Sequence, residues 1–250
     1  MNLSKDLLLK SLRAVLFGKK LYASDFAEAD WKSIFQLADE QTVSALLLDG
    51  MSLLPSEYIA ISLDDKLKRI AAMQRIEQIN RLHRKVIVKI EQALKSEGIP
   101  VVFMKGQTTA LRYPNPLHRT PGDIDFVVDS KDFKKTMEVL EKIGKVDHNL
   151  VHEHHGMAWV DGVTVEPHYK VHNYQSPSTD HAMQEMFASV FPSELSSADM
   201  DGHAVPVFPP TFESVFLISH MVNHVYEEGL GLRQVIDYTM FLSRCSDKID

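Results

Sequence analysis

Seven consecutive residues, Gly122-Asp123-Ile124-Asp125-Phe126-Val127-Val128, constrain this chain more than any other stretch. Side chains alternate across a β-strand, so Asp123 and Asp125 share one face while Ile124, Phe126 and Val128 share the other. Such a strand needs a sheet that buries its apolar face, and it holds two anions close enough to repel. One reading of the pair is a strand end with two solvated aspartates. The other is a divalent-cation site, for which hard oxygen ligands favour Mg²⁺ over Zn²⁺.

The neighbouring sequence favours the second reading. Gly98-Ile99-Pro100-Val101-Val102-Phe103-Met104 has the character of a buried strand, and Lys105-Gly106 follows at its carboxyl end, ahead of a helical stretch from Thr108 to Arg112. Glycine there lets the backbone approach a ligand, and the helix N-terminus presents free N–H groups to an anion. Downstream, Val163-Thr164-Val165-Glu166-Pro167-His168 alternates again and sets Thr164, Glu166 and His168 on one face. Glu166 supplies a third carboxylate. Pro167 is expected at an edge or a strand end, because it cannot donate to a ladder.

The rest of the chain frames this core with helices. Ser4 is a fitting N-cap for a first helix that ends near Gly18. A second is expected over 26–40 and a third over 42–48. The longest spans about 64–96, where Leu67, Ile70, Ile76, Ile79, Leu82, Val86, Ile90 and Leu94 mark a stripe read as core. A helix from Phe133 carries Met137, Leu140 and Ile143 inward and stops at Gly144. An amphipathic segment over 180–190, a short strand over 203–208 and helices over 210–226 and 232–245 complete the pattern. The fold class expected is α+β, a mixed β-sheet core flanked by N-terminal and C-terminal helical regions. Its parts are an N-terminal helical region (1–97), a catalytic core (98–175), and a connecting segment with C-terminal helices (176–250). The abrupt stop after Ser246 suggests a truncated chain.

Charge and cysteine usage narrow the partners. With 250 residues, the chain is long enough for a catalytic domain and a helical companion, and its net charge of −7 argues against a broad phosphate-binding surface. A local basic groove stays open. Small-molecule or protein acceptors are therefore favoured over nucleic acid. The lone cysteine, Cys245, fits a reducing cytoplasm. No apolar run approaches the roughly 20 residues that span a membrane, and the first residues lack the order of a signal peptide.

Strand, Lys-Gly turn, helix, Asp-x-Asp strand and a later strand with a lone Glu together resemble the nucleotidyltransferase superfamily related to DNA polymerase β. Phe103-Met104-Lys105-Gly106, Arg119-Thr120-Pro121-Gly122-Asp123-Ile124-Asp125, Glu166-Pro167-His168-Tyr169 and Gly231-Leu232-Arg233-Gln234-Val235-Ile236-Asp237 are similar to the bacterial uncharacterised nucleotidyltransferases. The resemblance covers roughly 95–240. It implies that Asp123 and Asp125 ligate Mg²⁺, with Mn²⁺ as a substitute, and that Glu166 completes a metal site and helps deprotonate an acceptor hydroxyl. It also implies that a nucleoside triphosphate is held by Lys105, Gly106, Gln107 and Thr108, with Arg119 balancing charge. The superfamily usually has Gly-Ser or Gly-Gly at the turn, whereas this chain has Gly106-Gln107 followed by two threonines. That departure keeps a catalytically silent relative, such as a toxin, antitoxin or nucleotide sensor, in view.

Histidines add a third class. His148, His152, His154, His155, His168 and His172 crowd one region and invite a His-rich metal hydrolase, although their spacing fits no zinc motif. The residues His152, His154 and His155 are expected in an exposed hairpin or loop. His168, on the face of Glu166, is placed to orient that carboxylate or to contact substrate. His220 and His224 stand four apart on one helical face, as do Arg233 and Asp237 on the next helix. They either contact substrate or pack as satisfied polar groups.

Overall fold

The computed structural model describes residues 3–149, 155–171, 176–227 and 229–250. The chain divides into two compact units, one formed by Met1–Ile79, Ala110–Pro121 and His220–Arg244, the other by Asn80–Thr109, Gly122–Ser219 and Cys245–Asp250.

The first unit is helical. Helices α1 (Leu3–Phe17), α2 (Trp31–Glu40) and α3 (Ser44–Met51) bury Leu7, Ile34 and Leu47 completely, each worth about 1.5–3 kcal/mol. Close helix approach explains Gly50, where a β-carbon would stand 2.8 Å from Ser11 Cβ. The second helix starts later than its apolar spacing suggests. Asp30 caps it by accepting from Ser33 N at 3.2 Å, which leaves Phe26 in a short 3₁₀ turn whose ring stacks on Trp31.

Helix α4 (Leu63–Ser96) supplies residues to both units. Ser62 Oγ accepts from Asp65 N and fixes its start. The stripe read as core is buried only from Val86 onward. Val86, Ile90 and Leu94 are buried, but Leu67 is 58% exposed and Leu82 is 37% exposed. Spacing marks a face, whereas burial requires a partner for that face.

The second unit carries a seven-stranded mixed sheet of order β3-β4-β5-β2-β1-β7-β6. The strands are β1 (Val102–Met104), β2 (Ile124–Val127), β3 (Lys145–Asp147), β4 (Met157–Val160), β5 (Val163–His168), β6 (Ser196–Met200) and β7 (His203–Val207). Central β2 pairs antiparallel with β1 and parallel with β5, so Asp125 lies beside Met104 on one side and Glu166 on the other. Short, polar β3 and β6 have no sequence signal of their own. Pro167 sits next to last in β5, an interior strand, and accepts from Gly156 N through its carbonyl.

Helix packing sets the parity of the side chains on the β3-β4-β5 side of this sheet. Of the helices α5 (Gly106–Ala110), α6 (Phe133–Ile143), α7 (Pro177–Val190), α8 (Pro210–Glu227) and α9 (Leu232–Cys245), α6 packs on β3, β4 and β5. A β-carbon on Gly156 would meet Met137 Cε at 2.8 Å, so the α6 side of β4 is the side of Gly156, Ala158 and Val160. Residues His155, Met157 and Trp159 face away from α6. Two-residue turns Asp161-Gly162 and Asp201-Gly202 join β4 to β5 and β6 to β7, all four residues at positive φ. Both aspartates anchor α4. Lys89 Nζ donates to Asp161 at 2.8 Å and Arg84 Nη1 to Asp201 at 2.6 Å.

Candidate active site

The strand pairings bring three carboxylates together. Asp123 and Asp125 share a face of β2 and its lead-in, and the parallel register places Glu166 directly beside Asp125. Carboxylate oxygens of Asp123, Asp125 and Glu166 all lie within 4.8 Å of one another. Lys105, at the end of β1, reaches into the group and sets its Nζ 3.0 Å from Asp125 Oδ1. His168 Nε2 donates to the same oxygen from 3.1 Å.

Electrostatics separate the three acids. Burial opposes ionisation of Asp125, but the Lys105 ammonium and the His168 hydrogen bond overrule it and hold the carboxyl well below the usual carboxylate range. The carboxylate of Asp125 pushes Asp123 upward. Glu166 is raised to about 7, first by burial and then by the Asp125 and Asp123 charges. Burial lowers His168, keeping its imidazole neutral at pH 7. Two acids raised by their neighbours and a third held ionised form a set that a divalent cation would relieve. All-oxygen donors suit Mg²⁺ or Mn²⁺, so the residues present fit the expected ion.

That arrangement has a pH signature. A cation must displace the proton that Glu166 retains near neutrality, so Mg²⁺ affinity should rise as pH climbs from about 6 to 8 and should level off above the Glu166 pKa. The proton uptake of the buffer, read by titration calorimetry in buffers of different ionisation enthalpy, measures the displaced proton. Affinity independent of pH over that range would contradict the placement of Glu166 in the set.

The Lys105-Gly106 turn is strained where it faces the acids. Lys105 and Gly106 both have positive φ, 55° and 48°, and a non-glycine residue in that region is uncommon and associated with functional turns. A β-carbon on Gly106 would touch the Asp123 carbonyl oxygen at 3.4 Å, so backbone passes close to backbone here. Thr108 Oγ1 donates back to Lys105 O at 2.8 Å and closes the turn. Gln107 points elsewhere. It is buried, and its Nε2 donates to Asn80 Oδ1 of α4 at 2.6 Å.

The remaining candidates occupy the helical unit. Arg119 is buried and gives Nε and Nη2 to the two carboxylate oxygens of Asp237, each at 2.8 Å, while Tyr113 donates to Asp237 Oδ1 at 2.6 Å. Arg233 reaches Thr120 O at 3.4 Å. His220 and His224 touch through their Nε2 atoms at 3.0 Å. His152 and His154 lie outside the described residues. His155 is not the exposed loop residue that spacing suggests: its side chain is 14% exposed, and an antiparallel bridge sets it opposite His168. Only the register of β4 against β5 reveals this, because Ala158 opposite Val165 brings His155 to His168.

Comparison with known proteins adds a sequence match. Among solved structures, the chain aligns with the antibiotic-resistance factor ANT(2'')-Ia at 13% identity and a TM-score of 0.47, over 67% of this chain and 86% of that one. It also aligns with an antigenic nucleotidyltransferase-like protein from Paracoccidioides brasiliensis at 15% identity and a TM-score of 0.43, over 64% and 75% of the two chains. A search of curated proteins finds no match. The model of one family, described as uncharacterised nucleotidyltransferase, matches residues 27–250 and so takes in the Lys-Gly turn, both aspartates and Glu166. On that match, the chain belongs to the uncharacterised nucleotidyltransferase family.

Proposed function

We propose that this protein moves a nucleoside monophosphate from a nucleoside triphosphate to an acceptor hydroxyl, with a divalent cation, and releases pyrophosphate. The observation that carries the reading is the convergence of Asp123, Asp125 and Glu166 beside Lys105. Asp123, Asp125 and Glu166 would hold Mg²⁺, which supplies Lewis-acid polarisation of the phosphoryl oxygens. The acceptor oxygen forms a bond to the α-phosphorus as the bond from that phosphorus to the β-bridging oxygen breaks. Glu166, raised to about 7 with no cation bound, gives up its proton when the cation binds and would then stand ionised beside the acceptor hydroxyl, able to take the acceptor proton. Lys105 can share its ammonium between Asp125 and a phosphate oxygen, since it carries three donors. The net charge of −7 favours a small molecule or a protein side chain as acceptor over nucleic acid. Among the described residues no helix is long and apolar enough to cross a membrane, so nothing in them calls for a lipid-embedded acceptor.

The direct test offers each of the four nucleoside triphosphates with Mg²⁺ and pooled acceptors, and reads pyrophosphate and an added nucleotidyl mass. Nucleotide binding without either product would instead favour a silent, sensing relative. Lys105→Ala separates phosphate binding from metal binding. Triphosphate affinity should fall by about 1.5–3 kcal/mol for a lost charge-assisted bond. Mg²⁺ alone should bind at least as well, because a competing cation beside Asp125 is gone. Calorimetry giving wild-type triphosphate affinity would move the phosphates away from this turn.

A further inference from the structure

Glu166 belongs to a second donor set. Ligand atoms of His155, Glu166 and His168 also lie within 4.8 Å of one another. Nε2 of His155 stands 3.8 Å from Glu166 Oε2, and Nε2 of His168 stands 3.9 Å from the same oxygen. The two imidazole centroids are 5.1 Å apart. In a tetrahedral site with bonds of about 2.1 Å, neighbouring donors are about 3.4 Å apart, so each histidine needs to close on Glu166 by only about half an ångström. Their side-chain exposures are 14%, 21% and 4%, which keeps the set largely out of bulk water.

The two sets differ in chemistry. Three carboxylates select a hard ion, whereas two imidazoles with one carboxylate select a borderline ion. They also compete for two groups. Glu166 Oε2 is the oxygen nearest both histidines, and His168 Nε2 now donates to Asp125. Ligation through that nitrogen moves the ring proton to Nδ1 and deprives Asp125 of its hydrogen bond.

We propose that His155, Glu166 and His168 form a nitrogen-rich site for Zn²⁺ or a similar borderline ion, and that its occupation draws Glu166 away from the carboxylate set. Zinc at this site therefore antagonises the Mg²⁺ response. The antagonism rests on the proposed Mg²⁺ reading of the carboxylates; the zinc site itself does not.

Metal-stripped full-length protein titrated with ZnCl₂ in a calorimeter should bind one equivalent at least a hundredfold more tightly than Mg²⁺, and CoCl₂ should give the visible bands of a low-coordinate nitrogen-ligated ion. His155→Ala should lose the zinc equivalent and the cobalt bands while keeping the Mg²⁺-induced rise in melting temperature. Asp123→Asn should do the reverse. One equivalent of zinc should suppress the Mg²⁺ rise in wild type but not in His155→Ala. Failure of wild type to bind an equivalent, or its retention by His155→Ala, overturns the site. A Mg²⁺ rise that survives in Asp123→Asn would instead overturn the carboxylate reading and leave the zinc site standing.

Discussion

Asp125→Asn should abolish nucleotidyl transfer while leaving a folded protein. Asp125 is the most buried member of the carboxylate set, at 5% exposure, and it is the residue on which Lys105 and His168 both converge. An amide at this position cannot supply the charge that holds a hard cation against a triphosphate. Metal-derived stabilisation of a phosphoryl transition state amounts to several kcal/mol, and each 1.36 kcal/mol is tenfold in rate, so turnover should drop roughly a thousandfold or more. The melting temperature should change little without metal, because losing a partner for Lys105 is offset by relief of repulsion with Asp123 and Glu166. The Mg²⁺-induced rise should vanish. Pyrophosphate release within tenfold of wild type would remove Asp125 from the chemistry.

Asp237→Ala should be the most damaging substitution for stability. The Asp237 carboxylate accepts two bonds from Arg119 and one from Tyr113, and all three residues are buried. Removing the anion takes from a guanidinium at 7% exposure the carboxylate that it grips through two nitrogens, and from the Tyr113 phenol the acceptor of its hydrogen bond. Breaking one side of a buried pair in this way costs about 3–5 kcal/mol. Urea denaturation followed by circular dichroism should show it. Lys68→Ala, which breaks an ion pair whose partners are 69% and 74% exposed, should change stability by less than about 1 kcal/mol. Comparable losses in the two variants would contradict the assignment of Asp237 as the anchor of Arg119.

The legible part of the site was the part that a single strand encodes. Asp123 with Asp125, and Glu166 with His168, each follow from the two-residue period, and the glycine after Lys105 marks the close approach to Asp123. What stayed hidden depends on pairing between distant segments. Gln107 looks like a phosphate donor until Asn80, on a helix well upstream, claims its amide. Arg233 and Asp237 stand at the spacing of a helical pair, and nothing in that spacing tells that Arg119, from far along the chain, grips both oxygens of Asp237 in a buried setting. His155 belongs to the same class. Periodicity likewise marked α4 as a long amphipathic helix, but could not say that its burial begins only near Asn80. The sheet strands with weak alternation, β3 and β6, owe their conformation to the neighbours they pair with.

The tight turn at Asp161-Gly162 sets the register of the β4–β5 hairpin, and with it which side chains reach the carboxylate face. With φ of 50° and 82°, the turn admits two residues and no more in its present form. A third residue taken up by slipping the pairing, instead of by a longer loop, would advance β4 by one position against β5 and flip every side chain of β4 through the sheet. His155, Met157 and Trp159 would then press toward α6, into the space that Gly156 keeps clear beside Met137, while Ala158 would come to lie on the carboxylate face. Among relatives of this chain, a longer version of this turn should therefore keep Ala158 opposite Val165 and take up the extra residue in the loop.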